Sequence, residues 1–136
     1  MKIMQHKFVE FIPEDIEHGI LYISMHYATA MHKCACGCGS VVVTPFSPTD
    51  WKLFFNGDSV SLSPSIGNWS FPCRSHYFIR NDRVDWCSSW SKKQIEAGRE
   101  ADKKHKNQYF NSNQKNEKDS FIIKLWVKLK QLLKLS

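Results

Sequence analysis

The chain has 136 residues, room for one domain with appendages, and no run of about 18 apolar residues that would form a spanning helix. Its net charge of +6 is unevenly held: residues 1–87 carry 7 Lys and Arg against 8 Asp and Glu, whereas residues 88–136 carry 12 against 5. The basic character belongs to the tail, so the near-neutral body offers no electrostatic footprint for nucleic acid, and none is expected as a partner.

In chain order, the first 87 residues read as short strands separated by turns. Met1-Lys2-Ile3-Met4-Gln5-His6 lacks the apolar run of a secretory signal, so a cytoplasmic location is expected. Lys7 to Ile12 alternates and stops at Pro13, Gly19 to Ser24 forms a second strand, and Val41 to Thr44 forms a third, ending at Pro45. Trp51 to Phe55, the turn Asn56-Gly57-Asp58 and Ser59 to Leu62 predict a hairpin. Tyr77 to Arg80, Asn81-Asp82 and Arg83 to Trp86 predict another. The expected fold class is mostly β (a small α+β chain): a zinc-stapled β domain over residues 1–90 with a helical C-terminal tail. The tail divides into a polar helix or linker over 91–120, with residues 111–120 disordered, and an amphipathic basic helix over 121–136. In that last segment Phe121, Ile122, Leu125, Trp126, Leu129, Leu132 and Leu133 share a helical face, while Lys124, Lys128, Lys130 and Lys134 lie mostly on the other side. Asp119 and Ser120 offer N-caps. Such a helix fits a partner groove, a membrane surface, or the β domain's own apolar surface.

The cysteines carry the strongest chemical signal. Cys34, Cys36 and Cys38 alternate in His32-Lys33-Cys34-Ala35-Cys36-Gly37-Cys38-Gly39, and Cys73 follows in a turn-like stretch. Alternate cysteines cannot readily bridge one another without strain, and in a reducing compartment clustered thiols bind metal more often than they oxidise. Side chains at i, i+2 and i+4 of an extended segment can point to one side, and the glycines let the backbone fold round an ion. Cys34, Cys36, Cys38 and Cys73 are therefore the expected ligands of a structural Zn2+, closed to substrate by four thiolates. Cys87 is spare, and His32 is open to three roles: replacement ligand, general base, or donor to a cysteine sulfur.

A second constellation is Ser63-Pro64-Ser65-Ile66-Gly67-Asn68-Trp69 followed by Cys73-Arg74-Ser75-His76-Tyr77. Ser65 precedes a Gly-Asn turn whose amides, at Gly67 and Asn68, could stabilise an oxyanion, and His76 is close enough in sequence to serve as base. Asp50 and Asp85 are candidates for an orienting acid. Ser75 is a rival nucleophile, but adjacent strand residues face opposite ways, which argues against pairing it with His76. Serine-rich turns also occur with no chemistry attached, the hydroxyl bonding only its own loop.

Taken together, four ordered stretches resemble one bacterial domain-of-unknown-function family: His32 to Gly39, Thr44-Pro45-Phe46-Ser47-Pro48-Thr49-Asp50-Trp51, Ser61 to Trp69, and Cys73 to Ile79. Its members are encoded beside bacterial ubiquitin-like modifiers and their E1-like and E2-like enzymes. The similarity spans roughly residues 6–87 and leaves out the tail. It implies a place in a ubiquitin-like conjugation pathway, some of which are linked to phage defence, with the modifier or its E1 or E2 enzymes as partners. The implied activity is a serine peptidase (a hydrolase) that trims the modifier precursor. By position the resemblance puts the nucleophile on Ser65, the base on His76, and the zinc ligands on Cys34, Cys36, Cys38 and Cys73. Cys87 belongs to none of its motifs. The alternative expectation is a non-enzymatic zinc-binding adaptor in the same pathway.

Overall fold

The computed structural model describes residues 2–134. Among these residues, eight strands form two sheets. β1 (Gln5–Phe8), β2 (Ile20–Ser24), β3 (Thr29–Lys33) and β4 (Val41–Pro45) make the first, in that order. β5 (Lys52–Phe55), β6 (Val60–Gly67), β7 (His76–Arg80) and β8 (Arg83–Trp86) make the second. β1 and β2 run parallel, and the remaining neighbours are antiparallel. The fold is thus mostly β with a helical tail.

Period-two burial explains how the sheets share a core. β3 turns Ala30 and His32 inward, and β4 turns Val42 and Thr44 inward. Leu21, Ile23, Ala30 and Val42 of the first sheet join Val60, Leu62, Ile66, Tyr77, Ile79 and Val84 of the second in one buried cluster. The N-terminal segment ties the sheets together. The Met4 amide donates to the Asp82 carbonyl and the Val84 amide to the Lys2 carbonyl, at 2.8 and 2.9 Å, before the chain enters β1.

One expected boundary moves and one strand is added. The first strand lies at Gln5–Phe8 rather than Lys7 to Ile12, because Gln5 to Phe8 pairs with Ile20 to Ile23 and only Val9 continues the bonding. β3 was not expected from the sequence, since its inward positions are an alanine and a histidine instead of large apolar residues.

β6 carries the irregularity that matters most. Leu62 faces Ile79 and Ile66 faces Tyr77, so four steps along β6 answer two along β7. The surplus falls in Ser63-Pro64-Ser65, where Pro64 has no N–H to give a ladder. Such a bulge re-aims the side chains it contains.

The tail differs from expectation. α1 (Lys92–Lys134) is one helix of 43 residues, about 65 Å long at 1.5 Å per residue. Residues 111–120 are helical, not a disordered break, and no new helix starts at 121. No glycine follows Gly98 and no proline follows Pro72, so nothing interrupts propagation once the helix is nucleated. Its N-cap is Ser91, not Asp119 or Ser120: the Gln94 amide donates to Ser91 Oγ at 3.2 Å and the Ser91 amide to Gln94 Oε1 at 2.8 Å, a reciprocal capping box. The chain divides into two compact units, one ending at Ile95 and one beginning at Glu96. Met1 and the last two positions of the helix expected over 121–136 lie outside the described residues. No described helix is long and apolar enough to cross a membrane.

The cap is testable by itself. Ser91→Ala should cost about 1 kcal/mol of first-turn stability. Amide exchange at residues 93–96 should then quicken several-fold, with the strand amides unchanged.

Candidate active site and metal centre

The loop between β3 and β4 begins at Cys34. The Cys34 amide donates to the Ser40 carbonyl at 2.8 Å and the Gly37 amide to the Cys34 carbonyl at 3.0 Å. Gly37 and Gly39 take φ of 91° and 84°, a region open to glycine at little steric cost, and this folds the loop back on itself. Lys2 Nζ braces it through the Ala35 carbonyl. The sulfurs of Cys34, Cys36, Cys38 and Cys73 all lie within 4.8 Å of one another.

Their spacing suits a metal. Tetrahedral thiolates at about 2.3 Å from an ion stand about 3.8 Å apart. Cys34 to Cys73 and Cys38 to Cys73 are both 3.8 Å, and Cys34 to Cys36 is 3.5 Å. The four residues could therefore hold a metal ion through an all-sulfur donor set. Hydrogen bonds from the Ser40 side chain and backbone draw the Cys38 thiol down to about 6, and desolvation pushes Cys36 up to about 12. Binding a metal would displace protons from the group as a whole. Cys87 is not in the cluster, and its sulfur's hydrogen-bond partner is the Asp85 carbonyl, 4.0 Å away.

Behind the sulfurs lies a polar layer. Ser75 Oγ is 3.0 Å from Cys34 Sγ and accepts from Asn68 Nδ2 at 2.9 Å. Asn68 Nδ2 also reaches Cys34 Sγ at 3.7 Å and the Tyr77 hydroxyl at 3.5 Å. The Tyr77 hydroxyl accepts from the Ala35 amide at 3.4 Å and stands 2.7 Å from His32 Nε2. Desolvation by burial lowers His32 to about 4, leaving it neutral near pH 7. His32 is thus not a member of the sulfur cluster, and the imidazole bonded to Ser65 is that of His76. It bonds the tyrosine that steadies the loop, one step further from the sulfur than its expected donor role.

The other face of β7 holds the serine–histidine pair. The pleat turns Ser75 and Tyr77 toward the cysteines and His76 away from them. His76 sits opposite Gly67 on β6, and Ser65 is its diagonal neighbour. His76 Nε2 is 2.9 Å from Ser65 Oγ. Gly67, directly opposite His76, adds no side chain between them. On the other side of the ring, His76 Nδ1 is 2.9 Å from the Ser88 carbonyl oxygen. That carbonyl can only accept, so Nδ1 carries the proton and Nε2 presents its lone pair to the serine hydroxyl. This tautomer can take a proton from Ser65.

Neither aspartate candidate occupies the orienting position. Asp85 pairs with Arg80 at 3.3 Å and Asp50 accepts from Ser47 Oγ at 2.7 Å. Asn68 also departs from its expected place. Its side-chain donors go to Ser75, Cys34 and Tyr77, and its backbone amide to the Ser75 carbonyl at 2.9 Å. Gly67 differs. With Asn68 bonded to Ser75, the alternation of an antiparallel ladder directs the Gly67 N–H away from β7.

Sequence reasoning missed three participants. Trp69 and Trp90 stack at 5.5 Å between centroids, and each meets the His76 ring edge-on, at 4.9 and 5.2 Å. Ser88 supplies the carbonyl. Two tryptophans flanking a Ser-Pro-Ser-x-Gly run and its histidine were the available signal for the first two. A backbone acceptor leaves no trace in residue identity. The indole also explains Gly67: a Cβ there would lie 2.5 Å from Trp69 Nε1. Gly67→Ala should displace the indole from His76, at a cost of about 1–3 kcal/mol. A lowered urea midpoint with altered tryptophan emission is the expected result.

A protein-family model described as bacterial ubiquitination-like system serine protease (BubE) matches residues 8–87. No curated protein and no solved structure matches the chain. The matched span runs from the end of β1 through β8 and includes Ser65, His76 and all four clustered cysteines, while Ser88 and Trp90 follow it. By that match, the chain belongs to the BubE family of bacterial ubiquitination-like system serine proteases.

Proposed function

We propose that this protein is a serine peptidase that processes the precursor of a bacterial ubiquitin-like protein, held in shape by a structural Zn2+. The observation that carries the reading is the 2.9 Å contact between Ser65 Oγ and His76 Nε2, with Nδ1 anchored on a carbonyl. Ser65 Oγ attacks the scissile carbonyl carbon while His76 Nε2 takes the hydroxyl proton. The tetrahedral intermediate collapses, and the same proton passes from Nε2 to the departing amine. Water then attacks the acyl-enzyme, giving its proton to Nε2, and Ser65 regains a proton as the acid product leaves. The Ser88 carbonyl holds the imidazole in its working tautomer, a task given to a carboxylate in the Ser-His-Asp arrangement. The Gly67 N–H is our candidate oxyanion donor, being directed away from the β7 ladder.

Cys34, Cys36, Cys38 and Cys73 would hold the zinc. When bound, the ion supplies cross-linking between loops, and four thiolates leave it no position for substrate or water. Cys73 lies in the loop that joins the strand of Ser65 to the strand of His76. Ser75 and Asn68 tie that loop to Cys34, so the metal's grip on Cys73 would maintain the distance between the two groups.

Two measurements test these assignments. Ser65→Ala should lower cleavage of the precursor at least roughly a thousandfold, read by intact mass, with unchanged circular dichroism. Undiminished turnover would remove Ser65 from the mechanism, and a folded wild type that binds the precursor without cutting it would favour an adaptor. Chelation should unfold the β domain outright, since metal affinity and folding are coupled in such sites. A chelated protein that keeps its native near-ultraviolet spectrum would contradict a structural role.

A further inference from the structure

The last third of α1 carries a run of exposed apolar residues that the peptidase reading leaves unused. Phe121, Ile122, Leu125, Trp126, Leu129 and Leu132 are 46–67% exposed. At 100° per residue they fall within an arc of roughly 140°. Lys130 follows Trp126 at one border of that arc and Lys128 precedes Phe121 at the other. Lys124 and Lys134 lie on the remaining face, with Ile123 and Val127 among them. After Asp119 the chain has no acidic residue.

We propose that residues 121–134 form a lipid-binding helix that lies in the surface of an anionic bilayer. Three observations favour lipid over a protein groove. First, the charge is of one sign, four lysines with no acidic residue after Asp119, which complements anionic headgroups. Second, lysines at the borders of the arc can lay their aliphatic stems along the hydrocarbon while their ammonium groups stay at headgroup level. Third, Trp126 sits at one border, where an amphipathic ring is at home between acyl chains and water. The helix rests on the surface, for no described helix can cross. A protease bound in this way would act on modifier precursors near the membrane.

The test uses the full chain and floats it with vesicles of phosphatidylcholine alone or with one-third phosphatidylglycerol. Binding to the phosphatidylglycerol vesicles that weakens as salt is raised is expected, with little on phosphatidylcholine. A variant with Lys124, Lys128, Lys130 and Lys134 all changed to Gln keeps good helix formers and should lose affinity roughly a hundredfold or more. Leu125→Asp with Leu129→Asp should abolish binding. No flotation of the wild type, equal binding to both vesicle types, or concentration-dependent self-association that Leu125→Asp with Leu129→Asp removes would each overturn the proposal. Cleavage is not read, so the result is independent of the peptidase assignment.

Discussion

The interaction on which the arrangement depends is the meeting of Cys73 with Cys34, 3.8 Å apart between sulfurs. One cysteine follows β3 of the first sheet, and the other lies between β6 and β7 of the second. In a domain this small, apolar burial alone supplies a thin margin, and long loops are costly to order. The thiol cluster gathers both loops at one point. Ser75 and Asn68 then convert that point into a defined end for the β6–β7 ladder, since each touches Cys34 as well as the other.

From that end the pleat distributes function. Successive residues of β7 face opposite ways, so the strand borders two candidate sites without mixing them. Ser75 and Tyr77 support the sulfurs; His76 faces Ser65 across the Gly67 gap. Ser65 lies in the β6 bulge, one diagonal step from His76 across the ladder and 2.9 Å from its Nε2. Trp69 and Trp90 cover the imidazole from the side, and the Ser88 carbonyl holds its far nitrogen. In the proposed chemistry His76 has no carboxylate behind it. Less charge stabilisation would then fall on the imidazolium, and more on the flanking indoles and the oxyanion donors.

The helical unit follows a different logic. Its start is set by a capping box at Ser91 and Gln94, and its length by the absence of any breaker beyond Gly98. Polar residues in its middle contribute little burial, and the helix persists there through propagation from the first turn. In the proposed readings, chemistry and attachment occupy separate stretches of the chain. The family match ends at Cys87, before the helix begins at Lys92.

The sequence by itself determined the β character, both predicted hairpins, the four gathered cysteines and the pairing of Ser65 with His76 as a candidate. These are legible because spacing and residue type carry them: alternate thiols, period-two patterning, a turn at Asn56-Gly57. Only the tertiary structure decided that Asn68 turns to the sulfur layer, that His32 is buried neutral against Tyr77, and that a carbonyl stands where Asp50 or Asp85 had been candidates. It also decided that residues 111–120 continue a helix. The reason is physical. Hydrogen-bond partners that are backbone atoms have no identity in a sequence, and a bulge or cap acts by where it points side chains that are distant along the chain.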